Sequence, residues 1–133
     1  MTESSQLKII IIEDELPLLE IIKSESEKAG FEVVSARTVD QAIEYLKKIS
    51  DIKGIWLDHY LIGKGSGLDF VYIIKQNEQW KNIPLFVVSN TASPDKKQAY
   101  LKLGATKFFT KSDHTLRDII EDMKNTIVNG TVE

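Results

Sequence analysis

The chain has no cysteine, and it has only two histidines and three prolines among its 133 residues. Without cysteine there is no disulfide, no thiolate metal site and no cysteine nucleophile. The two histidines, His59 and His114, are far apart in the sequence and predict no zinc site. The first residues, MTESSQ, lack the basic and apolar regions of a signal peptide, and no apolar run approaches the ~18 residues of a membrane span. We therefore expect a cytoplasmic protein without membrane insertion.

The chain also lacks a strong charge of either sign. Its net charge is -3, and its lysines and arginines are scattered rather than concentrated in one segment. Scattered basic residues predict no direct contact with nucleic acid. The hydrophobic fraction of 42% and the charged fraction of 28% are typical of a globular protein, and the length fits one domain.

Five apolar runs alternate along the chain with segments of helical periodicity. The runs are Leu7–Ile12, Phe31–Val34, Ile55–Leu57, Ile83–Val88 and Lys107–Thr110. Alternation of this kind predicts an α/β fold in which helices cover both faces of a doubly wound parallel sheet. We expect the domain to span residues 7–128, after a flexible N-terminus of residues 1–6. Residues 129–133 are expected to form a short tail, with no output domain.

Charged or polar residues stand where several of these runs end. Glu13 and Asp14 follow the first run, Asp58 the third, Ser89 the fourth and Lys111 the fifth. In a doubly wound sheet the carboxyl ends of the strands form the ligand-binding edge. Carboxylates that converge there without histidine or cysteine favour Mg²⁺, and a lysine and a hydroxyl beside them suit a phosphoryl group.

The stretches "IIIIEDE", "IWLDHYL", "GSGLDF", "PLFVVSN" and "GATKFFTKS" occur in an order and at spacings that resemble the receiver domain of two-component response regulators. The resemblance covers roughly residues 7–128. It implies a flavodoxin-like sheet of strand order 2-1-3-4-5 with five helices. It also implies that Asp58 is the phospho-acceptor, and that Mg²⁺ is held by Glu13, Asp14, Asp58 and the backbone carbonyl of Tyr60.

Further roles follow from the same resemblance. Ser89 is the expected switch hydroxyl, Lys111 the phosphate-binding lysine and Phe108 the switch aromatic. The expected tuning positions are Tyr60, Asn90 and Thr91. Phosphorylation in the family reshapes the surface of the fourth helix, fifth strand and fifth helix. Implied partners are a histidine kinase or phosphotransfer protein and an unknown downstream protein. The chain is expected to be a single-domain regulator, monomeric or a phosphorylation-dependent dimer, with no enzymatic activity beyond its own phosphorylation and dephosphorylation.

Three other readings use the same residues. A degenerate receiver would act as a phosphate-independent binding module. Two departures from the family pattern keep this interpretation open: Ser112, where the family usually has proline, and Asn90, where a small residue is usual. The sequence leaves open whether the peptide bond before Ser112 is cis or trans. A Mg²⁺-dependent phosphohydrolase of the haloacid-dehalogenase type would need an aspartate at Tyr60. A flavodoxin-like cofactor carrier would need a phosphate-binding loop where this chain has "EDE", which repels phosphate.

Overall fold

Strands and helices alternate throughout the computed structural model, which describes residues 7–58, 67–90 and 93–130. Its strands are β1 (Leu7–Ile12), β2 (Phe31–Ala36), β3 (Gly54–Asp58), β4 (Leu85–Ser89) and β5 (Lys107–Thr110). Its helices are α1 (Leu16–Lys28), α2 (Val39–Lys48), α3 (Gly67–Gln76), α4 (Pro94–Leu103) and α5 (Leu116–Asn129). Within this part of the chain, no helix is long and apolar enough to span a membrane.

The strands form one parallel sheet in the order β2-β1-β3-β4-β5. The predicted flavodoxin-like fold class and strand order are therefore confirmed. Strand order reverses between β1 and β3, so their carboxyl ends border the crevice in which such sheets bind ligands. The register pairs Ile12 with Leu57, which brings the residues that follow them, Glu13 and Asp58, to the same edge.

Both faces of the sheet are buried, because successive side chains of a strand point to opposite sides. Ile10 and Ile12 pack with residues of α2, α3 and α4, whereas Ile9 and Ile11 pack with residues of α1 and α5. All four isoleucines are fully buried. This two-sided burial explains why the strands read as continuous apolar runs rather than as alternating patterns.

Local residue preferences explain where several of the helices begin and end. Gly30 and Gly104 follow α1 and α4 with φ of 104° and 115°, a left-handed conformation that favours glycine. The Thr38 hydroxyl accepts a hydrogen bond from the Gln41 backbone N–H at 3.0 Å. The Gln41 side chain in turn accepts a hydrogen bond at 2.7 Å from the backbone N–H of Arg37, one residue before the cap.

The bounds of β2, β3 and β4 differ from those of the apolar runs. β3 spans Gly54–Asp58, one residue more at each end than the run Ile55–Leu57. β4 begins at Leu85 rather than Ile83, because Pro84 has no N–H to donate and contributes only its carbonyl, which accepts from the Ile55 N–H. β2 extends to Ala36, whose carbonyl accepts a hydrogen bond from the Glu13 N–H at 3.0 Å. The predicted flexible N-terminus, residues 1–6, lies outside the described residues.

Candidate functional site

A cleft of about 630 Å³ opens at the carboxyl edge of the sheet, above β1 and β3. It contains most of the charged residues that the sequence placed at strand ends. Its lining consists of Glu13, Asp14, Glu15, Leu18, Asp58, Asn90 and Lys111. The fold thus brings residues separated by nearly 100 positions in the chain to one site.

Three carboxylates form the centre of this cleft. One oxygen from each of Glu13, Asp14 and Asp58 lies within 4.8 Å of the others. Glu13 is 1% exposed and Asp58 is 4% exposed, whereas Asp14 is half-buried. Buried carboxylates at this separation repel one another and are poorly hydrated, so the cluster is costly unless a proton or a cation lies between them.

Glu13 shows this cost most clearly. Burial raises the pKa of the Glu13 carboxyl to about 8, and the neighbouring Asp58 carboxyl adds to the shift. Two groups oppose it: the Glu15 backbone N–H, which donates to Glu13 Oε2 at 3.1 Å, and the Lys111 ammonium. The other oxygen of Glu13, Oε1, is buried and has no hydrogen-bond partner among the described residues.

The cluster fits a divalent cation. An unsatisfied buried carboxylate oxygen beside two more carboxylates offers oxygen ligands and negative charge, without nitrogen or sulfur donors. This donor set suits Mg²⁺, which binds through one or two carboxylates and retains several waters. The Arg37 guanidinium donates to the Asp14 backbone carbonyl at 2.9 Å and so fixes the acidic turn from outside the cleft.

Lys111 and Ser89 lie on the opposite side of Asp58 from β1. Asp58 pairs with Val88 in the sheet register, and Ser89 pairs with Thr110. The Lys111 N–H donates to the Ser89 carbonyl at 2.7 Å, which continues the β4–β5 ladder beyond the strand end. Ser89 is 1% exposed, and Lys111 is half-buried. The Lys111–Ser112 peptide bond is trans, which decides between the two geometries that the sequence left open.

The remaining predicted positions lie around this centre. Asn90 is exposed at the cleft, and Phe108 is half-buried with its ring centroid 5.8 Å from that of Tyr100. Tyr60 and Thr91 lie outside the described residues, so the predicted carbonyl ligand and two of the predicted tuning positions fall there. The sequence analysis did not predict that Arg37 and Tyr100 contact residues of the site, Asp14 and Phe108 respectively. The one available signal was that Tyr100 is the only aromatic residue in the lysine-rich α4 segment.

The fold and this acidic cleft define the class of the protein. A family model for the response regulator receiver domain matches residues 9–123, and the chain belongs to that family. The family acts in phosphorelay signalling of two-component systems, and its receiver domains are generally signalling modules. Receiver domains interact with histidine kinases or phosphotransfer proteins and bind Mg²⁺ at an acidic pocket, and this chain has such a cluster of acids.

Individual relatives agree with this membership. The chain is 31% identical to the phosphate regulon transcriptional regulatory protein PhoB of Klebsiella pneumoniae over 105 residues, which are 78% of this chain and 44% of that protein. The chain therefore spans less than half the length of the curated relatives it matches.

Solved structures share the fold. The phosphorylated cyanobacterial phytochrome response regulator RcpA aligns with a TM-score of 0.83 and 25% identity, over 96% of this chain and 98% of that one. The chemotaxis response regulator CheY4 of Vibrio cholerae aligns with a TM-score of 0.81 and 21% identity, over 91% and 98% of the two chains.

Proposed function

We propose that this receiver domain, spanning residues 7–128, accepts a phosphoryl group on Asp58 from a phosphohistidine of a histidine kinase or phosphotransfer protein. The observation that carries the proposal is the convergence of Glu13, Asp14, Asp58 and Lys111 on one cleft. Asp58 is the best acceptor of the three carboxylates because it ends the central strand between β1 and β4, with acids on one side and Lys111 lining the same cleft.

In the transfer, a carboxylate oxygen of Asp58 attacks phosphorus while the bond from phosphorus to the donor imidazole nitrogen breaks. The electron pair leaves with that nitrogen, which then takes up a proton. The Lys111 ammonium is placed to neutralise the phosphoryl oxygens. Glu13 and Asp14 hold Mg²⁺ together with Asp58, and the ion supplies charge stabilisation for the phosphoryl group.

The proposed output is a change of protein–protein contacts on the surface of α4, β5 and α5. Ser89 and Phe108 are the residues proposed to respond to phosphate. Ser89 is buried beside the register position of Asp58, and Phe108 lies on the edge strand next to α4. A downstream protein is the proposed reader of this surface, in the cytoplasm, and the phosphorylated form is proposed to act as a monomer or a dimer.

The test is the intact mass of the protein after incubation with a small phosphodonor such as acetyl phosphate. We expect the mass of one phosphoryl group to be gained with Mg²⁺, and the gain to be lost with a chelator or in Asp58→Asn. Asp40→Asn is the matched control, because Asp40 is an exposed aspartate on α2, away from the cleft. That variant is expected to be phosphorylated like the wild type.

The alternative of a phosphate-independent binding module rests only on two departures from the family pattern. Asn90 at the cleft and Ser112 after the lysine distinguish this site from the usual receiver pattern, as a phosphate-independent binding module would. If wild-type protein gains no mass with Mg²⁺ and a phosphodonor, and beryllofluoride leaves the fluorescence of Trp56 on β3 unchanged, phosphoryl transfer to Asp58 is excluded and the binding module is the better description.

A further inference from the structure

Tyr100 is the buried anchor of α4. It is the buried residue of this helix, with 0% exposure, and it belongs to the core cluster that α4 shares with α3 and the sheet. The rest of α4 is rich in lysine and largely exposed. Tyr100 is therefore the main contact that fixes α4 on the sheet, and the partly buried Leu103 packs against the same cluster.

The hydroxyl end of Tyr100 reaches the start of α3, close to the acceptor strand. A Cβ atom on Gly67 would collide with the Tyr100 hydroxyl, and it would lie 3.2 Å from Tyr100 Cζ and 3.4 Å from Leu57 Cδ2. The Tyr100 hydroxyl can occupy this position only because residue 67 is glycine. Leu57 directly precedes Asp58, so the hydroxyl lies near the acceptor end of β3.

Electrostatics support this placement. Burial raises the pKa of the Tyr100 phenol well above its ordinary value, and the negative charge of Asp58 raises it further. The phenol is therefore close enough to Asp58 to respond to its charge. Addition of a phosphoryl group to Asp58 changes the negative charge to which the phenol is exposed.

The ring of Tyr100 contacts the proposed switch aromatic. Its centroid lies 5.8 Å from that of Phe108, with the ring planes inclined by 41°. Phe108 is half-buried and so has room to change its burial. Because a protein core is close-packed, the fully buried Tyr100 ring cannot move without displacing Phe108 or shifting α4.

We propose that Tyr100 is a positioning residue that couples the chemical state of Asp58 to the position of α4 and to the packing of Phe108. In this proposal, phosphorylation of Asp58 displaces the Tyr100 hydroxyl, and α4 shifts with the rigid ring. This inference rests on the proposed function, since it needs a modification at Asp58 to transmit.

The test compares hydrogen exchange of α4 backbone amides with and without beryllofluoride and Mg²⁺. Tyr100→Phe removes the hydroxyl and keeps the ring, and Tyr72→Phe is the matched control because Tyr72 is 55% exposed on α3. We expect the beryllofluoride-dependent change in α4 protection to fall to about half or less in Tyr100→Phe and to stay at the wild-type value in Tyr72→Phe. A purely structural role would alter basal protection without altering this difference.

A second measurement checks the geometry. Gly67→Ala should lower the urea midpoint of unfolding, because the new methyl group meets the hydroxyl. The double variant Gly67→Ala/Tyr100→Phe should recover part of that loss, beyond the sum of the single effects. Additive effects would mean that the hydroxyl does not lie over Gly67, and they would overturn the inference.

The outcomes separate the two proposals. If wild-type Asp58 is phosphorylated but the α4 response is the same in wild type and Tyr100→Phe, the coupling role is wrong and the proposed function stands. If wild-type protein shows neither mass gain nor any response to beryllofluoride, the proposed function is wrong, and the coupling role falls with it.

Discussion

The metal-free protein should lose stability as the pH rises from weakly acidic to neutral, and Glu13 is the reason. The pKa of this carboxyl is about 8 in the folded protein, against an ordinary value of 4.5. Between these two values the folded state keeps a proton that the unfolded state has released. The unfolded state therefore binds fewer protons, and the free energy of unfolding falls as pH increases.

The size of the effect follows from the proton count. One proton retained only by the folded state lowers the free energy of unfolding by roughly 2–3 kcal/mol in all between about pH 5 and about pH 7. The free energy of unfolding of a small domain is typically about 5–15 kcal/mol, so this loss is a substantial fraction of it. Asp51, whose pKa is lowered by the side-chain hydrogen bond from Lys8, acts only near and below its ordinary value of 3.8 and so outside this range.

The assay is urea unfolding followed by tryptophan fluorescence, at a series of pH values with a chelator present. Both tryptophans, Trp56 and Trp80, are buried and so report on unfolding. Glu13→Gln replaces the carboxyl by a neutral amide of the same shape and should flatten the pH dependence. Glu20→Gln, which changes an exposed glutamate on α1, should keep the wild-type slope.

Addition of Mg²⁺ should remove the penalty at neutral pH, because a cation stabilises the ionised carboxylates in place of the proton. At a hundredfold excess over its dissociation constant, an ion that binds only the folded state adds about 2.7 kcal/mol. The reasoning would be refuted by an equal slope in wild type and Glu13→Gln, or by stability that rises with pH across this range without metal.

Two further changes test the site and its support. Lys111→Met should reduce the rate of phosphorylation from acetyl phosphate by about 10²-fold, since it removes the cation that we propose neutralises the phosphoryl oxygens. Lys48→Met, which changes an exposed lysine on α2, should leave the rate unchanged. Equal rates in the two variants would contradict the proposed role of Lys111. Gly54→Ala should destabilise the domain by about 1 kcal/mol in urea unfolding, because its methyl group would lie 2.7 Å from Ile127 Cδ1 and the end of this side chain must shift. Ile127→Val in the same chain should restore part of the loss, and additive effects of the two changes would contradict the contact.

The sequence was sufficient to predict the architecture, because local sequence patterns determine where the strands and helices form. The apolar runs and their alternation with helical periodicity each reflect a short-range physical requirement. These patterns predicted the doubly wound parallel sheet, and the family resemblance added its strand order. Strand ends were less predictable, as Pro84 shows, because pairing depends on the neighbouring strand as well as on composition.

The same patterns placed Glu13, Asp14, Asp58 and Lys111 at strand ends, and the sheet register brings the first three within 4.8 Å. Their roles in phosphoryl transfer remain proposals. The predicted contributions of Tyr60 and Thr91 lie outside the described residues. The sequence left the form of the bond after Lys111 open, and the structure has it trans, the form that bonds before residues other than proline, such as Ser112, strongly prefer.

The tertiary structure alone decided the energetics of the site and the contacts of α4. The raised pKa of Glu13 comes from burial beside Asp58, a residue 45 positions away in the chain, and no local pattern encodes that proximity. Tyr100 looked like one aromatic residue in a polar helix, yet its hydroxyl reaches Gly67 and its ring contacts Phe108. Residue type and spacing determine which functional groups lie at the edge of the sheet. The local dielectric environment of these groups, the distances between them and their packing arise only when segments distant in the chain come together.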